Sequence, residues 1–354
     1  VSILGPESLL PPEIEVPPVI KLSHAERHKH LEEAIVSLYR WYVAKSQSDR
    51  NWNPDLTIKW GEMRQDHSEE VHQTIEGFYA VEQYVPDYTS HLLNKVRQSH
   101  GRSHFQLRWG SEEQKHMELW RNAMLWGGRR SAKWVHEYGE ELRNEEWRLP
   151  WDDPLHMLMY TVFQERATQV NYLNLGIIAK GKGYGGEAAA DPVLEHACKL
   201  IAADEAAHYH FFLECARMHL YFFPLQSLEA LANVLRHFAM PAGNIIPDFS
   251  KFSETVMRIG VYGPRNFSRD VAKVALGQLG LDSLRLVEEG IRRSRLIPNE
   301  EGLFRTGAIF ETLRYQEVEK KVRALFGRLK DYNIMSGRHE VEPLAEPDWS
   351  SGSA

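Results

Sequence analysis

The chain has 354 residues, 43% of them hydrophobic and 26% charged, with 17 histidines and a formal net charge of −7. That is enough apolar material for a substantial core, and the acidic balance argues against a nucleic-acid partner. No run of 18 apolar residues occurs and no signal peptide opens the sequence, so a cytoplasmic protein without membrane insertion is expected.

Residues 1–21 carry prolines at positions 6, 11, 12, 17 and 18 and read as an extended arm. A helix is expected over 23–45 with Ser23 as its N-cap. Its His24, His28 and His30 read as a solvated helix start rather than a ligand cluster. Trp52-Asn-Pro54 marks an ordered connection. Four long helical stretches follow, at 69–98, 103–126, 153–179 and 190–222. Gly101, Gly127-Gly128, Pro154, the glycine-rich 181–186 and Pro192 punctuate them. Pro86 is expected to kink the first stretch and free a backbone carbonyl. Cys198 and Cys215 fall on the last one, roughly 25 Å apart at 1.5 Å per residue, too far for a disulfide.

A further helix fits at 129–143. Residues 225–335 add more helices, with breaks at Pro241, Pro247, Pro264 and Pro298. They carry the basic residues Arg292, Arg293 and Arg295, then Lys320, Lys321, Arg323, Arg328 and Lys330. From 336 the sequence turns polar and reads as a flexible tail to 354. Strand-like alternation is almost absent, so the class is all-α. The expected organisation is an arm and helix over 1–50, one domain over 51–335 and the tail.

The helical stretches carry the chemistry. Glu113-Gln-Lys-His116 and Glu205-Ala-Ala-His208 each set a carboxylate and an imidazole one helical turn apart on the same face. A bundle-held dinuclear iron or manganese site uses two such pairs plus one Glu from each of two other helices. Glu82 and Glu165 are the candidates for those roles. Four carboxylates would balance two divalent cations, and two imidazoles would complete the set. Composition alone yields about one or two chance Glu-x-x-His matches. The third match, Glu69-Glu70-Val71-His72, is a control. On one helix with Glu82 it points roughly 220° to 280° away, and so reads as solvated surface.

Arm lengths test whether the four segments converge. Glu165 and Glu205 each lie about 14 residues from the 180–190 loop, which brings them to one depth in an antiparallel pair. The arms around Gly101 differ by roughly one turn. The helix at 129–143 would return the chain as a crossover.

Thr161-Val-Phe-Gln-Glu165-Arg-Ala-Thr168 closely resembles the Phe-Gln-Glu-Arg-Ala-Thr segment of soluble acyl–acyl carrier protein desaturases. In the same order, Glu82-Gln-Tyr-Val-Pro86-Asp-Tyr88, Glu112-Glu113-Gln-Lys-His116, Ala203-Asp204-Glu205-Ala-Ala-His208 and Trp52-Asn-Pro54 resemble that family's landmarks, over roughly 50–220. The resemblance implies a ferritin-like four-helix bundle with additional helices and a centre of two Fe ions. Glu82 and Glu165 would be terminal ligands, Glu113 and Glu205 would bridge, and His116 and His208 would bind one iron each. Glu113 is chosen over Glu112 because only it lies three residues before His116. Thr168 matches the Thr beside the oxygen site. Trp52 and Asp204 match positions proposed to lead electrons to the metals; packing and a second-sphere acceptor are the plain alternatives. Segment 169–176, with Tyr172 on the face of Glu165, departs from the plant pattern.

The implied activity is O2-dependent insertion of a cis double bond into an acyl chain on acyl carrier protein. A ferredoxin-type donor would supply two electrons, and the enzyme would be a homodimer. The basic residues at 292–295 and 320–330 are candidates for carrier contact. The alternative on the same scaffold is a di-iron hydroxylase or N-oxygenase acting on a carrier-bound intermediate.

Overall fold

A computed structural model describes residues 17–294 and 308–349, all helix, turn and loop, with no strand among them. Pro18–Lys21 (α1) is a single turn that buries Val19 and Ile20, so the extended arm gives way to helix before residue 21. Residues 1–16, Arg295, Pro298 and 350–354 lie outside the described residues.

Side-chain caps set most of the helix starts. Ser23 opens α2 (His24–Asp49) with a full capping box, its hydroxyl accepting from Glu26 N while Glu26 accepts from Ser23 N. Ser68 caps α3 (Glu69–Glu82), Ser99 caps α5 (His100–Trp126) and Ser131 caps α6 (Ala132–Leu142). Asp153 and Asp191 each precede a proline at the first helical turn, opening α7 (Pro154–Ala179) and α8 (Pro192–Phe222).

Two expectations about the bundle helices change. The stretch 69–98 is two helices, because the chain turns at Gln83-Tyr84 and restarts as α4 (Val85–Val96), with Pro86 in its first turn, where a missing N–H costs least. The Val81 carbonyl, at the end of α3, accepts from the Tyr88 hydroxyl at 2.9 Å. Gly101 does not break α5 but lies inside it. A Cβ there would sit 2.7 Å from the Ile35 backbone, so the glycine lets α2 and α5 close on each other.

The bundle is α3/α4, α5, α7 and α8, with α2 packed against α5 and α8. Fully buried Trp109, Trp120, Tyr172, Phe105 and Phe163 fill it. Gly181, Gly183, Gly185 and Gly186, all at positive φ, turn α7 into α8. Beyond the bundle come α9 (Pro224–Arg236), α10 (Phe249–Arg258), α11 (Pro264–Asn266), the π-helical Phe267–Ala272, α12 (Lys273–Gln278), α13 (Leu284–Ser294), α14 (Ala308–Thr312) and α15 (Tyr315–Met335). Residues 336–349 do not leave the body as a free tail: Pro347 is buried and the Trp349 ring packs 5.6 Å from Phe326 and 5.9 Å from Tyr221. No described helix is long and apolar enough to cross a membrane.

Candidate metal centre

Glu82 ends α3, α5 supplies Glu113 and His116, α7 supplies Glu165, and α8 supplies Glu205 and His208. All six are at most 4% exposed. They form two groups, Glu82–Glu113–His116–Glu205 and Glu113–Glu165–Glu205–His208, each offering four ligand atoms within 4.8 Å of one another. Glu113 and Glu205 belong to both. In each group a shared pair of carboxylates faces one private carboxylate and one imidazole.

Both imidazoles point Nδ1 inward. His116 Nδ1 lies 3.1 Å from Glu113 Oε2 and 3.3 Å from Glu205 Oε1. His208 Nδ1 lies 2.9 Å from Glu113 Oε1 and 3.4 Å from Glu165 Oε2. The outward nitrogens meet carboxylates: His116 Nε2 is 3.4 Å from Asp204 Oδ2, and His208 Nε2 is 3.0 Å from Glu112 Oε2. Such outer carboxylates fix the tautomer and aim the ligating nitrogen. The arrangement crosses over, since Glu112 precedes the His116 motif but serves His208, and Asp204 precedes the His208 motif but serves His116.

Further polar groups anchor the frame. Asp204 accepts from Trp52 Nε1 at 2.8 Å and Lys115 Nζ at 3.0 Å, and the Trp52 ring lies parallel to His116 with centroids 6.3 Å apart. Glu112 accepts from the hydroxyls of Tyr42 and Ser46 and from Arg108 Nε at 2.9 Å. Glu165 accepts from Trp109 Nε1 at 3.0 Å, and Glu82 from the Tyr172 hydroxyl at 2.5 Å. Thr168 Oγ1 is 3.1 Å from Glu205 Oε2. Glu112, which the sequence reading set aside as a ligand, is therefore an outer partner. Its signal was an acidic residue directly before each motif glutamate, Glu112 and Asp204 alike.

The electrostatics are those of crowded acids. Burial, then Glu113, pushes Glu82 well above the usual carboxylate range; burial, then Glu205, does the same to Glu165. Burial opposes charge on Glu205 as well, but the nearby imidazoles of His116 and His208 outweigh it and lower the group. Burial likewise disfavours imidazolium, yet Glu113 and its neighbouring carboxylates beside His116, and Tyr42 with Glu112 and Glu113 beside His208, raise both histidines well above their ordinary value. Glu113 Oε1, Glu165 Oε2 and His208 Nδ1 are buried and make no well-formed hydrogen bond. Orphaned acceptors that converge in an oxygen–nitrogen set fit a pair of divalent cations.

The control pair stays out of this cluster, though not as solvated surface. Glu69 pairs with Arg130 at 3.0 Å, but His72 is fully buried, because the 127–130 segment covers that side of α3. Cys198 and Cys215 are buried free thiols.

An apolar cavity of about 330 Å³ adjoins the cluster. Thr168 and Tyr172 line its inner end, and Phe78, Phe249, Phe252 and Phe267 line its walls. A larger surface groove of about 890 Å³ runs between α9 and α13, but its lining is charged and includes no cluster residue, so it is not the site. The basic residues of α15 do not line the cavity either. Arg323 pairs with Glu319, Arg328 with Glu214 and Lys330 with Glu346.

A family model described as fatty acid desaturase matches residues 57–297. Stearoyl-[acyl-carrier-protein] 9-desaturase 6 of Arabidopsis thaliana is 28% identical over 245 residues, 65% of this chain and 60% of that protein. Palmitoyl-[acyl-carrier-protein] 4-desaturase 2 of Ophrys sphegodes is 28% identical over 166 residues, 45% of this chain and 42% of that protein. The chain thus spans about half the length of these relatives. Among solved structures, DesA2 of Mycobacterium tuberculosis, assigned as an acyl-ACP desaturase, aligns at a TM-score of 0.49 and 17% identity, over 73% of this chain and 98% of that one. With well over half of its sequence inside the matched range, which spans the positions of the buried cluster, the chain belongs to the fatty acid desaturase family typified by acyl–acyl carrier protein desaturases.

Proposed function

We propose that this chain is an O2-dependent di-iron desaturase that places a cis double bond in an acyl chain carried on acyl carrier protein. The observation that carries the reading is the contact between two chemistries. A double four-ligand cluster sharing Glu113 and Glu205 stands behind Thr168 and Tyr172, which also form the inner wall of the apolar cavity. Glu82, Glu113, His116, Glu165, Glu205 and His208 would hold two Fe ions. Those ions, given O2 and two electrons, would supply an oxidant that no side chain can provide.

The chain's own residues do the rest. The aromatic walls bind the acyl chain and keep water from it. Asp204 and Glu112 aim the ligating nitrogens. Thr168, with its hydroxyl against Glu205, stands where a proton can be handed to reduced oxygen. The balance is one O2, two electrons and two protons taken up, two hydrogens lost from adjacent carbons, and two waters formed. Trp52, stacked on His116 and donating to Asp204, is the proposed route for electrons from a ferredoxin-type donor. A homodimer in the cytoplasm completes the proposal.

The test is anaerobic loading with Fe²⁺, then O2, a reductant and a panel of acylated carrier proteins. A desaturase leaves label from O2 in water alone. Label in the organic product would mark a hydroxylase or N-oxygenase instead, and inactivity of a two-iron protein across the panel would refute the assignment.

A further inference from the structure

Arg50, the residue that closes α2, lies outside the bundle helices yet touches both halves of the outer frame. Its Nη1 is 3.2 Å from Asp204 Oδ1 and 3.7 Å from Glu112 Oε2. Its guanidinium also lies 4.9 Å over the ring of Tyr42, whose hydroxyl donates to Glu112. Among the described residues, the other two cations at this frame serve one side each: Lys115 pairs with Asp204 at 3.0 Å and Arg108 with Glu112 at 2.9 Å. The Arg50 side chain is 13% exposed, and the two carboxylates it joins are at most 1% exposed. Buried carboxylates keep their charge and orientation only with well-placed partners, and a planar guanidinium can span two of them where a compact ammonium reaches one.

We propose that Arg50 is a positioning residue common to both metal sites: by bridging Asp204 and Glu112 it holds the two ligand imidazoles in one frame, so that the sites are set as a coupled pair. The proposal rests on the two-metal reading above. It predicts that loss of Arg50 weakens both sites, whereas loss of either neighbouring cation weakens one.

The experiment is Co²⁺ titration of metal-free protein, followed by the visible absorption of the bound ion. Two backgrounds isolate the sites: His116→Ala leaves the His208 group, and His208→Ala leaves the His116 group. Arg50→Gln is expected to weaken Co²⁺ binding roughly tenfold in both backgrounds and to shift the absorption bands in both. Lys115→Met is expected to do so only beside His116, and Arg108→Gln only beside His208. Should Arg50→Gln fail to fold, Arg50→Lys keeps the cation, and is expected to restore one background and not the other. An effect of Arg50→Gln confined to one background, or absent from both, would overturn the proposal, as would full restoration of both by lysine. Failure of the unsubstituted protein to bind two Co²⁺ per chain would instead sink the two-metal reading itself.

Discussion

Glu112 and Glu113 are neighbours on α5, yet they address opposite edges of the same imidazole: Glu112 Oε2 lies 3.0 Å from His208 Nε2, and Glu113 Oε1 lies 2.9 Å from His208 Nδ1. The inner carboxylate is placed to share metal with the ring, and the outer one to fix the ring's tautomer. Glu112→Gln keeps the shape but removes the charge that favours an N–H at Nε2. Affinity at the His208 site should fall roughly 10- to 100-fold, with the His116 site near its original value. Stepwise metal titration measures both, and equal weakening of the two sites would contradict the crossed arrangement.

Thr168 offers a separable test of proton delivery. Its hydroxyl meets Glu205 Oε2 at 3.1 Å and the Glu165 carbonyl at 3.0 Å. Thr168→Val keeps volume and β-branching while removing the proton. Two metals should still bind, but turnover should drop on the order of 10²-fold, and Thr168→Ser should recover most of it. Single-turnover rates on protein of measured iron content make the comparison. A valine variant as fast as the original would remove Thr168 from the proton path.

Much of this site was legible because it is periodic. Three-residue spacing on a helix forces Glu113 and His116, or Glu205 and His208, onto one face whatever surrounds them, and equal arms about the 180–190 loop bring Glu165 level with Glu205. What sequence could not show depended on side chains crossing between helices. Glu112 serving His208, and Arg50 joining two helices to which it does not belong, have no local spacing to betray them. The break at Gln83-Tyr84 was misread as a kink because Pro86 fits a first helical turn as well as an interior bend. His72 was read as solvated because angular position on α3 says nothing of the 127–130 segment, which covers that side.

The cavity wall should be adjustable at Gly77. A Cβ there would fall 1.9 Å from Phe252 Cδ2, so the ring must move, and that ring lines the cavity beside Phe78 and Phe249. Alanine gains about 1 kcal/mol of helix propensity over glycine, while overpacking of this kind costs typically 1–3 kcal/mol. The clash should win, and Gly77→Ala is expected to lose about 1 kcal/mol net. The same displacement narrows the cavity, so preference should move toward shorter acyl chains. Thermal melts and product profiles on mixed carriers report the two effects, and an unchanged profile would place the acyl chain elsewhere.

Metal binding should release protons. Glu82 and Glu165 are pushed well above the usual carboxylate range by burial and by their neighbours Glu113 and Glu205, and both histidines are raised by surrounding carboxylates. Raised groups favour the fold while protonated, so the metal-free protein should lose stability as pH rises through their folded values. Ligands must shed those protons to bind, so affinity should grow over the same window, with protons released as the ions bind. Calorimetry in buffers of different ionisation enthalpy counts them. No release would mean that the acids are already ionised without metal.

His72 should contribute to the acid limb of stability. It is fully buried, neither ring nitrogen has a hydrogen-bond partner, and burial, reinforced by Arg130, lowers its pKa to about 4. A histidine whose folded value lies below its unfolded one contributes stability above the unfolded value of about 6.5 and loses it as pH falls toward 4. The slope reaches about 1.4 kcal/mol per pH unit, and up to about 3 kcal/mol is at stake across the window. His72→Leu removes the titrating group and leaves no unpaired nitrogen behind. The variant should therefore lose less stability than the original between pH 6.5 and pH 4, while matching it within about 1 kcal/mol near pH 8. Denaturant midpoints across that range decide the matter, and parallel curves for the two proteins would show that His72 is not the group that titrates.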